Sequence, residues 1–263
     1  MTFLLSVWSL WKREIVRFLR QRSRVFGALA PPLGIWLLIG SGLGSSFHLP
    51  GAQSQINYLQ YFFPGTILLV ILFTAIFSSI SVIEDRREGF LLSVLVAPIS
   101  RQAIVLGKIL GSTSLAFVQG ILLLFLSPLL GIELSIEKFI LLSVVLLVVS
   151  LGLSALGFAA AWKTESMEGF HSVMNVLLFP MWLLSGAVFP AEGAFTWIRW
   201  IMRVNPLYYS LSALQDLLHQ EASQIQSQMV GLGPAFAVTV VFGLTMIVLS
   251  VFLVARGKLT GYE

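Results

Sequence analysis

The chain contains no cysteine and little charge: only 11% of its 263 residues are Asp, Glu, Lys or Arg, less than half of the roughly one quarter found in soluble domains. The missing thiols exclude disulfides, thiolate catalysis and cysteine-based metal sites. Three histidines, His48, His171 and His219, are scattered without the spacing of a metal-binding pair. A phosphate-cradling loop is missing too, because Gly107-Lys108 is followed by isoleucine and Gln102 stands where the first glycine would be needed. No Gly-x-Ser-x-Gly nucleophile elbow occurs. The sequence therefore offers no catalytic residues, no metal ligands and no cofactor site of its own, and the expectation is that it is not an enzyme.

What is present is apolar length. Hydrophobic residues make up 57% of the chain, and they gather in six segments: Val25–Phe47, Phe62–Ile83, Ile109–Ile132, Phe139–Trp162, Phe170–Phe189 and Gly231–Ala255. Each is near or above the ~20 residues a helix needs to cross hydrocarbon. Five hold almost no charge, and the remaining one carries only His171 at its edge. Such continuous runs are unlike the alternating strands of a barrel. The expected fold is an all-α integral membrane protein with six transmembrane helices, organised as an amphipathic helix over residues 1–24 and a six-helix transmembrane domain over residues 25–263.

The basic residues give the orientation. Lys12, Arg13, Arg17, Arg20, Arg22 and Arg24 precede the first segment; Arg86, Arg87, Arg101 and Lys108 lie between the second and third; Lys163 follows the fourth, and Arg256 and Lys258 follow the sixth. The alternate gaps hold only Lys138, Arg199 and Arg203. Thirteen against three places both termini in the cytoplasm. The same placement accounts for the net charge of +4 without a nucleic-acid partner.

The N-terminus has its apolar residues before its basic cluster, the reverse of a signal peptide. Leu4, Trp8, Trp11, Ile15 and Phe18 recur at helical spacing, and Arg13, Arg17, Arg20 and Arg24 recur on another face. This predicts a helix in the membrane interface, with Trp8 and Trp11 toward acyl chains and the arginines toward anionic headgroups. It serves as an anchor, as a partner-binding helix, or as both.

The second gap opens with Glu84-Asp85-Arg86-Arg87-Glu88-Gly89 and continues through Phe90, Leu91, Val94 and Leu95 at helical spacing. Pro98 must end that helix, and Ser100 can cap the next one. Two readings stand: a short helix that docks into a protein groove, or a solvated loop. In the fifth gap, Trp197, Ile198, Trp200, Ile201 and Val204 precede a break at Asn205-Pro206, and Leu207, Leu211, Leu214 and Leu218 follow on one stripe. These pieces are too short to span. They predict two interfacial or re-entrant helices, either resting on the outer leaflet or forming a lid.

Within the six segments no ionisable group is expected at mid-depth, which argues against an ion-coupled carrier. Gln119, Asn175 and His171 are read as hydrogen-bonding glue between helices, and Gly40-x-x-x-Gly44 and Gly107-x-x-x-Gly111 as faces for close helix packing.

The basic amphipathic N-terminus, the Glu84–Gly89 stretch leading to Val94-Leu95-Val96-Ala97-Pro98-Ile99-Ser100-Arg101, then Gly107-Lys108, Phe179-Pro180, Leu184-Ser185-Gly186, Phe189-Pro190 and Asn205-Pro206-Leu207 resemble the permease subunits of type II ATP-binding-cassette exporters. That class includes the drug-resistance, nodulation-factor and polysaccharide-export permeases. The resemblance runs in order along nearly all the chain. It implies a bacterial inner-membrane exporter subunit that works as a dimer, usually of identical copies, over separate nucleotide-binding ATPase subunits holding ATP and magnesium. It further implies that Glu84, Asp85, Arg86, Arg87, Glu88, Gly89 and Arg101 form the coupling helix region. Trp8, Trp11, Arg13, Arg17, Arg20 and Arg24 would belong to the interfacial helix, and Trp197, Trp200, Asn205 and Pro206 to the extracellular re-entrant region. No substrate-binding residue follows from it. The rival expectations are a membrane scaffold or assembly factor and a carrier not driven by ATP.

Overall fold

A computed structural model of the chain describes residues 3–43, 57–218 and 230–256. Gly44, Phe47, His48, His219 and Lys258 lie outside them. The described residues form helices and no strand. α1 is Phe3–Arg20 and α2 Arg22–Leu43; α3 is Tyr58–Arg87, α4 Phe90–Val96 and α5 Arg101–Leu124; α6 is Ile136–Lys163. α7, Met167–Ala187, is a broken helix, followed by α8 (Thr196–Val204), α9 (Pro206–Leu218) and α10 (Leu232–Arg256). Six of them, α2, α3, α5, α6, α7 and α10, are long and apolar enough to cross a membrane. Each overlaps one of the six expected segments, although the third spanning helix runs Arg101–Leu124 and stops eight residues before the expected Ile132, and the chain is an all-α integral membrane protein.

α3 is the hub. Nearly all of its apolar middle is buried, whereas α2 and α10 present most of their surface outward. Small residues let the backbones meet, as they commonly do between membrane helices. A Cβ added to Gly65 would stand 2.7 Å from that of Ala187, one added to Gly157 would stand 2.6 Å from the Ser79 hydroxyl, and Gly152 of α6 faces Gly243 of α10. Gly40 fits under Leu59 in the same way. Gln119 accepts a hydrogen bond from the Thr74 hydroxyl, joining α5 to α3 as expected.

The helix ends sort into two layers. Arg86 donates to the carbonyls of Trp162 (2.7 Å) and Thr164 (3.0 Å) at the end of α6, and Arg101 donates to that of Ala255 (2.8 Å) at the end of α10. The basic gaps thus meet at one end of the bundle. At the other, Tyr58 donates to Val188 (2.8 Å) and Ser212 to Val230 (2.9 Å).

α7 departs from a regular helix. Turns of π-helix, Met174–Leu178 and Leu183–Ala187, flank Pro180, and Gly186 takes φ +93°. Freed carbonyls at membrane depth need donors. Asn205 supplies them, its Nδ2 donating to Met181 (2.5 Å) and Leu184 (3.0 Å) while its Oδ1 accepts from Leu207 N (3.0 Å). Tyr61 donates to Gly186 (2.9 Å).

Candidate functional site

The expected polar gap between α3 and α5 sits beside α1, and together they build a buried ion cluster. Asp85, fully buried near the end of α3, accepts a bidentate bond from Arg13 (2.6 and 2.9 Å), a third from Arg17, and a fourth from Lys108 Nζ at 2.6 Å. Lys108, on α5, also donates to Glu14 Oε1 at 2.8 Å and Ser81 Oγ at 3.3 Å, and Ser81 donates to Glu14 Oε2 at 2.5 Å. Around this centre Arg17 pairs with Glu84 (2.8 Å) and Glu88 (3.2 Å), and Arg24, in the first turn of α2, pairs with Glu84. Four cations face four carboxylates, so the cluster is neutral. Such balance is required, because a buried charge left without its partner costs several kcal/mol. Burial works against the Arg17 charge, yet Asp85, then Glu84 and Glu88, outweigh it and hold the guanidinium above its ordinary pKa.

Backbone geometry brings these groups together. A Cβ added to Gly107 would lie 2.6 Å from that of Leu10, and one added to Gly111 would lie 2.7 Å from that of Glu14. The Gly107-x-x-x-Gly111 face therefore is a close-packing face, and the helix it receives is α1. Trp11 donates to Ser114 at 3.0 Å, one turn further along. The turn into α4 uses Gly89 at φ +75°, a left-handed value that glycine adopts without strain. Leu91 and Val94 of α4 are buried with Leu10 and Ile104, and the Arg13 guanidinium lies 3.6 Å from the centre of the Phe90 ring. Ser100 caps α5 through Ala103 N.

Several expectations are corrected by this arrangement. Arg13, Arg17 and Arg24 do not point to lipid headgroups, since Asp85 and Glu84 need them as counterions; Arg20 alone of the four is exposed. The outward face of α1 is instead mostly apolar, with Leu4, Leu5, Trp8, Val16 and Leu19 exposed beside Ser9, Lys12 and Arg20, and Trp11 is half-buried. The helix ends at Arg20, and Arg22–Arg24 begin α2. In the second gap the apolar strip of α4 is already covered by α1. Glu84, Asp85, Arg86 and Arg101 are bonded within the chain. Arg87, Glu88, Ser93, Val96 and Pro98 remain exposed.

At the other end Trp197 and Trp200 of α8 are both 63% exposed. Pro206 opens α9, whose Leu207, Leu211, Leu214 and Leu218 are buried, so α9 packs inside the bundle and not on a leaflet surface. Asn175 and His171 are exposed on α7 and, among the described residues, form no hydrogen bond to another helix.

Glu14 and Lys108 had no assigned role in the sequence reading. A signal exists: Glu14 is the only acidic residue before Glu84, and it interrupts the Leu10, Glu14, Phe18 stripe that packs inward. A lone acid on a buried stripe requires a cation, and Lys108 is the one set inside a glycine face.

A model of the ABC-2 type transporter family matches residues 6–219, which include the whole cluster. The chain is 26% identical to a putative transport permease ycf38 of Cyanophora paradoxa over 252 residues, 95% of this chain and 86% of the relative. It is 24% identical to the daunorubicin resistance ABC transporter permease protein DrrB1 of Streptomyces coeruleorubidus, covering 81% and 74% of the two chains. Identity to the inner membrane transport permease YadH of Escherichia coli K12 is 22%, covering 79% and 80%.

Proposed function

The chain belongs to the ABC-2 type transporter family, and from that premise we propose that it is the membrane permease of an exporter energised by separate ATPase subunits. In this reading two copies of the chain enclose the path, both termini lie in the cytoplasm, and the membrane is a bacterial inner membrane, as the name of the Escherichia coli relative states for that protein. ATP and magnesium are held by the partner, and this chain supplies no cofactor site.

The observation that carries the proposal is the way the ion cluster fastens four elements, α1, α2, α3 and α5, around α4. The exposed side of α4, Ser93 and Val96, faces away from the bundle and, with the exposed Arg87 and Glu88 of the preceding turn, is the proposed seat for the ATPase. Its inner side rests on α1 through Leu91 and Val94. Glu84 and Asp85, at the root of the turn, are bonded to α1, α2 and α5 together. A displacement of α4 is thereby passed to α1 and to the first three spanning helices at once, with Arg86 and Arg101 carrying it to the ends of α6 and α10. ATP can drive the change only if the ATPase contacts α4 differently in its two nucleotide states.

A second copy is supported by α7. Its exposed face carries Val176, Leu177 and Phe179, all more than one third exposed, and the amide of Asn175. A polar group in an apolar span calls for a partner. The Asn175 amide both donates and accepts, so it can pair with its own counterpart. Crosslinking of Asn175→Cys across two copies in native membranes tests this directly: formation of a disulfide dimer is expected, and its absence with a crosslink at Val248→Cys on α10 instead would reassign the interface.

A further inference from the structure

At the end of the bundle remote from the ion cluster, the last turn of α5, the turn Ser127–Leu130 and the start of α6 enclose a cleft of about 700 Å³. That volume lies within the ~300–1,000 Å³ of ordinary ligand sites. Its wall is apolar, formed largely by Leu124, Ile132, Leu134 and Phe139, and three polar residues break it, Ser127, Glu133 and Ser135, the last already accepting from Lys138 N as the cap of α6. Ser127 is fully buried and its hydroxyl has no partner among the described residues. Burying a hydroxyl without a partner is unfavourable, so a hydrogen-bonding group in the cleft would satisfy it. Glu133 is exposed at the mouth and unpaired among the described residues. Around the opening, Leu129 and Ile136 are each 82% exposed and Ile140 56%. Large apolar side chains this bare belong against hydrocarbon, and the charges beside them belong at headgroup level.

We propose that this cleft binds one phospholipid bearing an amine headgroup. An acyl chain lies on the apolar wall, the Ser127 hydroxyl donates to an ester carbonyl, and the Glu133 carboxylate meets the ammonium. The one charged side chain lining the cleft is a carboxylate, which fits an ammonium; a headgroup without an amine would bring only negative charge to it. The inference rests on the chain spanning a bilayer and is independent of the exporter reading.

The test uses the full chain in nanodiscs of equal phosphatidylethanolamine and phosphatidylglycerol with identical acyl chains, followed by native mass spectrometry of retained lipid. The parent chain is expected to retain phosphatidylethanolamine preferentially. Leu134→Trp, which fills the cleft, should lower that retention on the order of tenfold, since it removes the buried acyl contact. Glu133→Gln should narrow the preference about two- to fivefold, the range of a solvent-exposed ion pair. Leu129→Trp, exposed and not among the lining residues, should change neither. If Leu134→Trp does not fold, Ser127→Ala reads the same site by removing only the hydroxyl, and it should weaken retention. Equal retention of both lipids by the parent, or a preference untouched by Leu134→Trp or by Ser127→Ala, would identify unselective boundary lipid only and overturn the proposal.

Discussion

Lys108 Nζ lies 2.8 Å from Glu14 Oε1, joining α5 to α1 across 94 residues of sequence. The same ammonium is 2.6 Å from Asp85 of α3, so one buried lysine holds three helices. Its value is positional: a buried ion pair gives little net stability over an apolar replacement, but losing one partner is severe.

Lys108→Met should therefore lower the stability of the purified chain by about 3–5 kcal/mol, because Glu14 loses its main counterion in a buried place. Glu14→Leu combined with Lys108→Met should recover most of that loss. A thermal-unfolding double-mutant cycle in detergent measures the coupling, and additive losses would show that the two residues act independently.

Gly111→Val should push α1 off α5, since even a Cβ there falls 2.7 Å from that of Glu14. A cysteine pair at Leu10 and Ile104, which share one buried cluster, reports the contact. The pair is expected to crosslink in the parent background and to lose most of its crosslinking with Gly111→Val; unchanged yield would mean that α1 is held elsewhere.

Hydropathy and charge counting were enough for the six spanning helices, because a bilayer imposes length and composition directly. Caps and stops, such as Ser100 and Pro98, were legible for the same local reason. The direction in which α1 faces was not. Its amphipathic pattern is identical whether its arginines meet phosphates or carboxylates, and only the neighbouring Asp85 decides. Asn175 shows the opposite failure, since a polar residue in a span reads the same whether it binds a helix of its own chain or faces outward. The break in α7 was not read from the sequence, although Pro180 lies within it, and its repair by Asn205 is a contact between segments that no local pattern reveals.

Asn205→Ala should destabilise the chain by roughly 2–4 kcal/mol, as it strips donors from the Met181 and Leu184 carbonyls and the cap from α9. Asn205→Asp, which keeps the cap but cannot donate, should recover only a small part. Equal stability of Asn205→Asp and the parent in thermal unfolding would contradict the repair role.

The two-layer sorting of helix ends predicts opposite accessibility for Ser93 and Glu133. In this cysteine-free chain, an impermeant thiol reagent added to intact cells should label Glu133→Cys and leave Ser93→Cys unlabelled until the membrane is opened. The reverse pattern would invert the topology.

The most direct measurement of the coupling account is co-purification of the tagged chain from its native membranes, with and without Ser93→Lys and Val96→Glu on the exposed side of α4. The parent should elute with a subunit carrying a phosphate-binding loop and with magnesium-dependent ATP hydrolysis. The double variant should insert normally yet lose both by more than tenfold, well beyond the ~0–1 kcal/mol of an exposed charge alone. Glu137→Lys, at the other end, should lose neither. Hydrolysis by the chain purified without any partner, or full association and activity in the double variant, would contradict the account.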